Sequence, residues 1–179
     1  MARRKRQPRL FLMTDPRMGD ALWGAIDRLP RGAGIIVRHH GWPQSSRLDL
    51  CRRIKARSRG RHVLLVAVPV PADVRPDGMH LPAAARKRPR ARGLLTAAVH
   101  DRRELARARA LGADAVLVSP VFGTESHPGG RPLGPMRFAT LARAAHCPVI
   151  ALGGMTQQRF RRLAPLGAAG WAAISAWMR

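Results

Sequence analysis

Eight short β-rich runs recur along the chain, and most are separated by a stretch of helical character, which constrains the fold more than any other feature. Alternating strands and helices form βαβ units, whose crossovers make neighbouring strands parallel. Leu10 to Thr14, Gly34 to Arg38, His62 to Val68 and Gly78 to Leu81 read as the first four strands. Leu94 to Val99, Ala115 to Val121, Pro148 to Leu152 and Gly170 to Ala176 read as the last four. Helices are expected near Asp20 to Leu29, at Arg47 to Arg57 with Leu48, Cys51 and Ile54 on one side, at Met136 to Ala145 and at Thr156 to Pro165. The clearest helix is Asp101 to Leu111, where Asp101 supplies a cap, Leu105, Ala108 and Leu111 face inward, and Gly112 is the stop.

Eight parallel strands predict a closed (β/α)8 barrel of the TIM type, because closure uses all eight and leaves no open edge. It is a shortened barrel: only about nine residues separate the third and fourth strands, and Pro89 interrupts the basic link between the fourth and fifth. Helices after strands three, four and eight are therefore expected to be reduced or absent. Apolar surface on strand eight then calls for a homodimer partner or for shielding by another element. The chain divides into a basic arm, residues 1–8, and one barrel domain, residues 9–179.

The charge is lopsided, with 33 Lys and Arg against 10 Asp and Glu and a net +23. Such a balance concentrates anions near the surface and brings nucleic acid into consideration. Against a nucleic-acid role, the excess is almost all arginine spread along the whole chain, aromatic residues are 4%, and no basic stretch is interleaved with rings on which bases stack. No apolar run has the roughly 18 residues that a membrane span requires. After Arg3 to Arg6 the apolar segment is only Leu10 to Met13, too short for a secretory core, so a cytoplasmic location is expected. Cys51 and Cys147 read as buried thiols.

Two segments carry the chemistry. Gly112 to Thr124 is a helix stop, a buried strand and a turn, and polar groups just past a barrel strand face the active site. Pro148 to Thr156 repeats the design, with Gly153 and Gly154 letting the backbone approach a ligand, and strand eight then runs into Ile174 and Ser175. Free N–H groups after strands seven and eight form the phosphate site of many barrels without a bound metal.

These motifs, with Leu12-Met13-Thr14-Asp15, Arg38, Gly78-Met79-His80-Leu81 and Val99-His100, resemble the thiamine-phosphate synthase and thiazole tautomerase family. The resemblance implies a barrel transferase that joins hydroxymethylpyrimidine pyrophosphate to thiazole phosphate with magnesium. It implies that Gly153, Gly154, Ile174 and Ser175 hold the thiazole phosphate, and that Arg38 and Thr124 contact the pyrophosphate. His40 stands where the family has a lysine on strand two, and His127 where it has one in the loop after strand six; with Arg38 they are the candidate catalytic side chains. The magnesium carboxylates are missing, one set falling within Val66 to Val70 and another at Ala85, with Asp73 and Asp77 the available substitutes. The tautomerase histidine falls on Pro120, while His80 and His146 read as structural and His39 points away from Arg38 by alternation. A synthase, a phosphate-ligand protein without turnover, a tautomerase-like enzyme, and a nucleic-acid-associated protein using Arg3 to Arg6 all remain open.

Overall fold

The computed structural model describes residues 7–71, 73–90, 93–124 and 129–178; the basic cluster Arg3 to Arg6 and His127 lie outside them. The strands are β1 Leu10–Met13, β2 Gly34–Val37, β3 Val63–Ala67, β4 Gly78–Leu81, β5 Leu94–Val99, β6 Ala115–Val118, β7 Val149–Ala151 and β8 Ala168–Ala173. The helices are α1 Ala21–Arg28, α2 Gln44–Ser58, α3 Arg102–Ala110, α4 Gly134–Ala144 and α5 Gln157–Leu163. All eight strands pair in parallel with their sequence neighbours, and β1 also pairs with β8, closing the barrel. Every strand therefore ends on the same rim, which collects the following loops around one opening.

Alternation divides the core. Phe11, Met13, Ile36, Leu65, Leu117 and Ile150 point inward and fill the barrel, whereas Leu12, Ile35 and Val37 point outward against α1 and α2. A second outer cluster joins Val116, Val118 and Val149 to Leu105, Phe138 and Leu141 on the helices. Both faces of the sheet are thus covered, as a parallel sheet requires. At the opposite end of the barrel, Asp77 Oδ2 accepts from the Leu64 amide at 3.0 Å and Asp114 Oδ2 from the Leu95 amide at 2.8 Å. These carboxylates tie neighbouring strands together below the core. Asp114, conspicuous in the Gly-Ala-Asp motif, works there and not at the rim.

Among the described residues no helix follows β3 or β4. Instead the β4–β5 segment lies on α3: Arg88 Nη1 donates to the carbonyls of Leu111 (2.8 Å) and Gly112 (3.0 Å), and Arg107 Nη1 reaches back to Ala83 (2.6 Å). α3 begins as expected, with Asp101 Oδ1 accepting from the Glu104 amide at 2.8 Å. Strand eight corrects the sequence reading. It spans Ala168–Ala173, and the residues expected to extend it turn into a 3-10 segment, Ser175–Trp177. This turn folds Trp177 onto Trp171 in a parallel stack, centroids 4.9 Å apart, while Trp177 Nε1 donates to Phe11 O at 3.1 Å. Trp171 is left 4% exposed. Strand six also stops early, at Val118, because Pro120 has no N–H to continue the ladder. Cys51 is buried as expected, but Cys147 is partly exposed. No helix among the described residues is long and apolar enough to cross a membrane.

Candidate active site

The strand ends open onto a cavity of about 660 Å3 to which every strand except β3 contributes a following residue. It brings together Arg38 and His40 after β2, Thr124 after β6, Gly153 and Gly154 after β7, and Ile174 and Ser175 after β8. Seven residues singled out in the sequence therefore share one opening; the eighth, His127, is outside the described residues. The cavity also takes in His39, His80, His100, Ser119 and Arg131.

The β7–β8 wall is built from backbone. Gly153 has φ +94° and Gly154 φ +59°, left-handed values that a Cβ disfavours. A Cβ on Gly153 would stand 2.7 Å from Pro120 Cα, and one on Gly154 would strike the Gly123 carbonyl, so the two turns are locked against the end of β6. Val121 N donates to Leu152 O at 2.9 Å and Phe122 N to Gly153 O at 3.2 Å, fixing the same junction. The N–H groups of Gly153, Gly154 and Ser175 have no acceptor among the described residues. Thr156 Oγ1 accepts from the Arg159 amide at 3.2 Å, and the Arg159 guanidinium returns to Gly154 O and covers the Phe122 ring at 4.8 Å.

The β1–β2 wall is built from side chains. The fully buried Thr14 hydroxyl accepts from the Arg38 amide at 3.3 Å and shares a 3.1 Å hydrogen bond with His39 Nδ1. Asp15 grips two guanidiniums, Arg17 at 2.8 Å and Arg38 at 3.2 Å. The hydrogen bonds and charge of Arg17, joined by the charge of Arg38, hold the Asp15 carboxyl well below the usual carboxylate range despite its burial. Burial holds His39 and His40 below the ordinary histidine value, and the charges of Arg47 and Arg38 push both further. Both are therefore biased toward the neutral form.

His80, read from sequence as structural, lines the cavity while being 5% exposed. Thr96 Oγ1 donates to Met79 O at 3.3 Å, so its partner at 2.9 Å, His80 Nδ1, is the donor and Nε2 carries the lone pair. Burial, with the charges of Arg38 and His40, pushes His80 down to about 3, so the ring is neutral at physiological pH. A hydrophobic neighbourhood around a lone histidine gives no hint of this in sequence; the signal is its inward register beside Thr96 on the next strand. His146, also read as structural, is exposed away from the rim, where Nε2 meets Ala113 O at 3.3 Å.

A sequence profile for thiamine monophosphate synthase matches residues 10–177. The chain belongs to that family. A Methanosarcina barkeri thiamine-phosphate synthase is 29% identical over 178 residues, covering 93% of this chain and 81% of its own. A relative from Geobacter sulfurreducens is 33% identical over 181 residues, 93% of this chain and 85% of its own. The thiamine phosphate pyrophosphorylase from Pyrococcus furiosus, at 23% identity, shares the fold with a TM-score of 0.76 over 97% of this chain and 89% of that one.

The magnesium that the resemblance implies does not fit the residues of this family member. No Asp or Glu among the described residues lines the cavity, and no cluster of three or more His, Cys, Asp or Glu among them is placed to hold a metal ion. Neither suggested substitute reaches the rim: Asp77 is committed to Leu64 at the far end of the barrel, and Asp73 is exposed outside the cavity lining. The end of β3, where one carboxylate set is expected, is occupied by a cation. Arg47, 2% exposed, reaches from α2 to donate to Ala67 O at 2.5 Å and Pro69 O at 2.6 Å. Ala85 stands in a turn, its amide donating to Pro82 O at 3.0 Å.

Proposed function

We propose that this protein binds a phosphorylated thiazole at the β7–β8 loops and couples it to hydroxymethylpyrimidine pyrophosphate, forming thiamine phosphate in the cytoplasm. The observation that carries this reading is that Gly153, Gly154 and Ser175, whose backbone N–H groups have no acceptor among the described residues, line one cavity, a donor set that suits a phosphate monoester. Ile174 lines the same cavity beside Ser175, and Arg38 and Thr124, which also line it, are the contacts for the diphosphate in this reading. In the coupling, the bond from the pyrimidine methylene carbon to the pyrophosphate oxygen breaks, with its electron pair leaving on that oxygen. The thiazole nitrogen lone pair then forms the new C–N bond. Arg38 supplies positive charge to the departing oxyanions, and neutral His40 and His80 add no charge that would oppose the methylene cation.

A second reading, ligand binding without turnover, is favoured by the lack of Asp or Glu among the described residues that line the cavity. Incubation of the full chain with both substrates separates the two. Thiamine phosphate in the product mixture supports coupling; a thiazole-phosphate-dependent rise in melting temperature with no product supports binding only. If neither occurs, both readings fail.

A further inference from the structure

Two guanidiniums reach the cavity from facing walls. In a closed ring of eight strands, β2 and β6 are four steps apart in either direction and stand opposite each other. Arg38 follows β2, and Arg131 lies in the segment from β6 to α4. That segment is pinned close by: Leu133 N donates to Pro120 O at 2.8 Å and Gly134 N to Val121 O at 3.0 Å, which holds Arg131 at the rim. Arg131 has no ion-pair partner among the described residues, and Arg38 spends one of its nitrogens on Asp15 and keeps the others. Behind the wall between them, Arg47 fixes a third positive charge on the end of β3. Among the described residues, a divalent cation entering this ring meets guanidiniums and no cavity-lining carboxylate; a diphosphate meets complementary charge from both sides.

We propose that the diphosphate group is held by guanidiniums alone, Arg38 and Arg131 closing on it from opposite walls, so that its binding needs no divalent cation. The proposal rests on the reading of the cavity as a site for a pyrophosphate ester, and it assigns Arg131 as a binding residue.

Calorimetric titration of inorganic pyrophosphate into the full chain in EDTA tests it. Binding is expected in EDTA, and added magnesium is expected to leave it unchanged or weaken it by sequestering the ligand. Arg131→Ala should weaken binding about tenfold, Arg131→Lys less, and Arg137→Ala, on exposed α4 surface outside the cavity, not at all. Binding that appears only with magnesium, or an Arg131→Ala affinity equal to the parent's, overturns the proposal. Thiazole phosphate titrated in parallel keeps the two ideas apart. Its failure to bind while pyrophosphate binds in EDTA would overturn the thiazole reading and leave the clamp standing.

Discussion

The two sides of the cavity are built on different chemistry. On the β7–β8 side the groups offered to a ligand are amides fixed by left-handed glycines, and their positions follow from backbone geometry. On the β1–β4 side they are side chains: Arg38, paired with Asp15, and His39, His40 and His80, which burial and neighbouring arginines hold below the ordinary histidine value. A backbone cradle needs only a few small residues and a closed barrel, so it keeps its form while the side chains around it change. A side-chain site is altered one residue at a time. By the resemblance read from the sequence, the chain keeps the glycine turns and lacks the carboxylates, as this difference leads one to expect.

The largest effect should come from the backbone side. Gly153→Ala places a Cβ at left-handed φ against Pro120, and the combined strain and overpacking should cost about 3 kcal/mol of stability by urea denaturation. Binding of thiazole phosphate should be lost with it. An alanine variant of parental stability would show that the turn is not locked against β6.

The side-chain side should respond to pH instead. An unfolded histidine titrates near 6.5 and His80 in the fold near 3, so between these values the unfolded chain takes up a proton that the fold excludes. The stability that neutral His80 contributes is complete above about pH 6.5 and is lost as pH falls, at up to about 1.4 kcal/mol per pH unit. His80→Gln should flatten the slope between pH 6 and 4 by that amount. His39 and His62, also lowered by burial, should sustain the remaining slope. An unchanged slope would mean that His80 is protonated in the fold.

The smallest effects compare two caps. Asp101→Ala removes the cap of α3 and Thr156→Ala that of α5, each costing about 1 kcal/mol in chemical denaturation. Only Met155 separates Thr156 from the Gly153–Gly154 turn, so the loss of Thr156 should also weaken phosphate binding severalfold, whereas Asp101→Ala should leave affinity unchanged. Equal effects on affinity would remove the distinction between cradle and scaffold.

The barrel was legible because its signal is repeated eight times: short β-rich runs, with capped, amphipathic helices between several of them. Errors fall where one local preference meets another. Ile174, Ser175 and Ala176 continue an apolar run that reads as strand, but they turn so that Trp177 can cover Trp171, a contact set by tertiary packing. That Gly153, Gly154, Ile174 and Ser175 share one rim was legible too, not from Gly-Gly alone but from turns placed after both strands seven and eight. The place of His80 on the cavity wall was not legible, because its inward register and its bond to Thr96 depend on strand pairing. Arg131 was missed because a loop arginine in a chain rich in arginine carries no distinguishing signal until the rim assembles around it. Arg47 shows the same limit, since nothing in helix periodicity announces that a helix arginine will close the end of β3.

The central claim is that the glycine turns after β7, with the start of the turn after β8, form a working phosphate cradle. Backbone amide chemical shifts recorded while thiazole phosphate is titrated into the full chain in EDTA test it most directly. Saturable shifts are expected, concentrated at Gly153, Gly154 and Ser175 and absent from the Gly153→Ala variant. Saturable binding that leaves those three amides unmoved, or no binding at all, would contradict it.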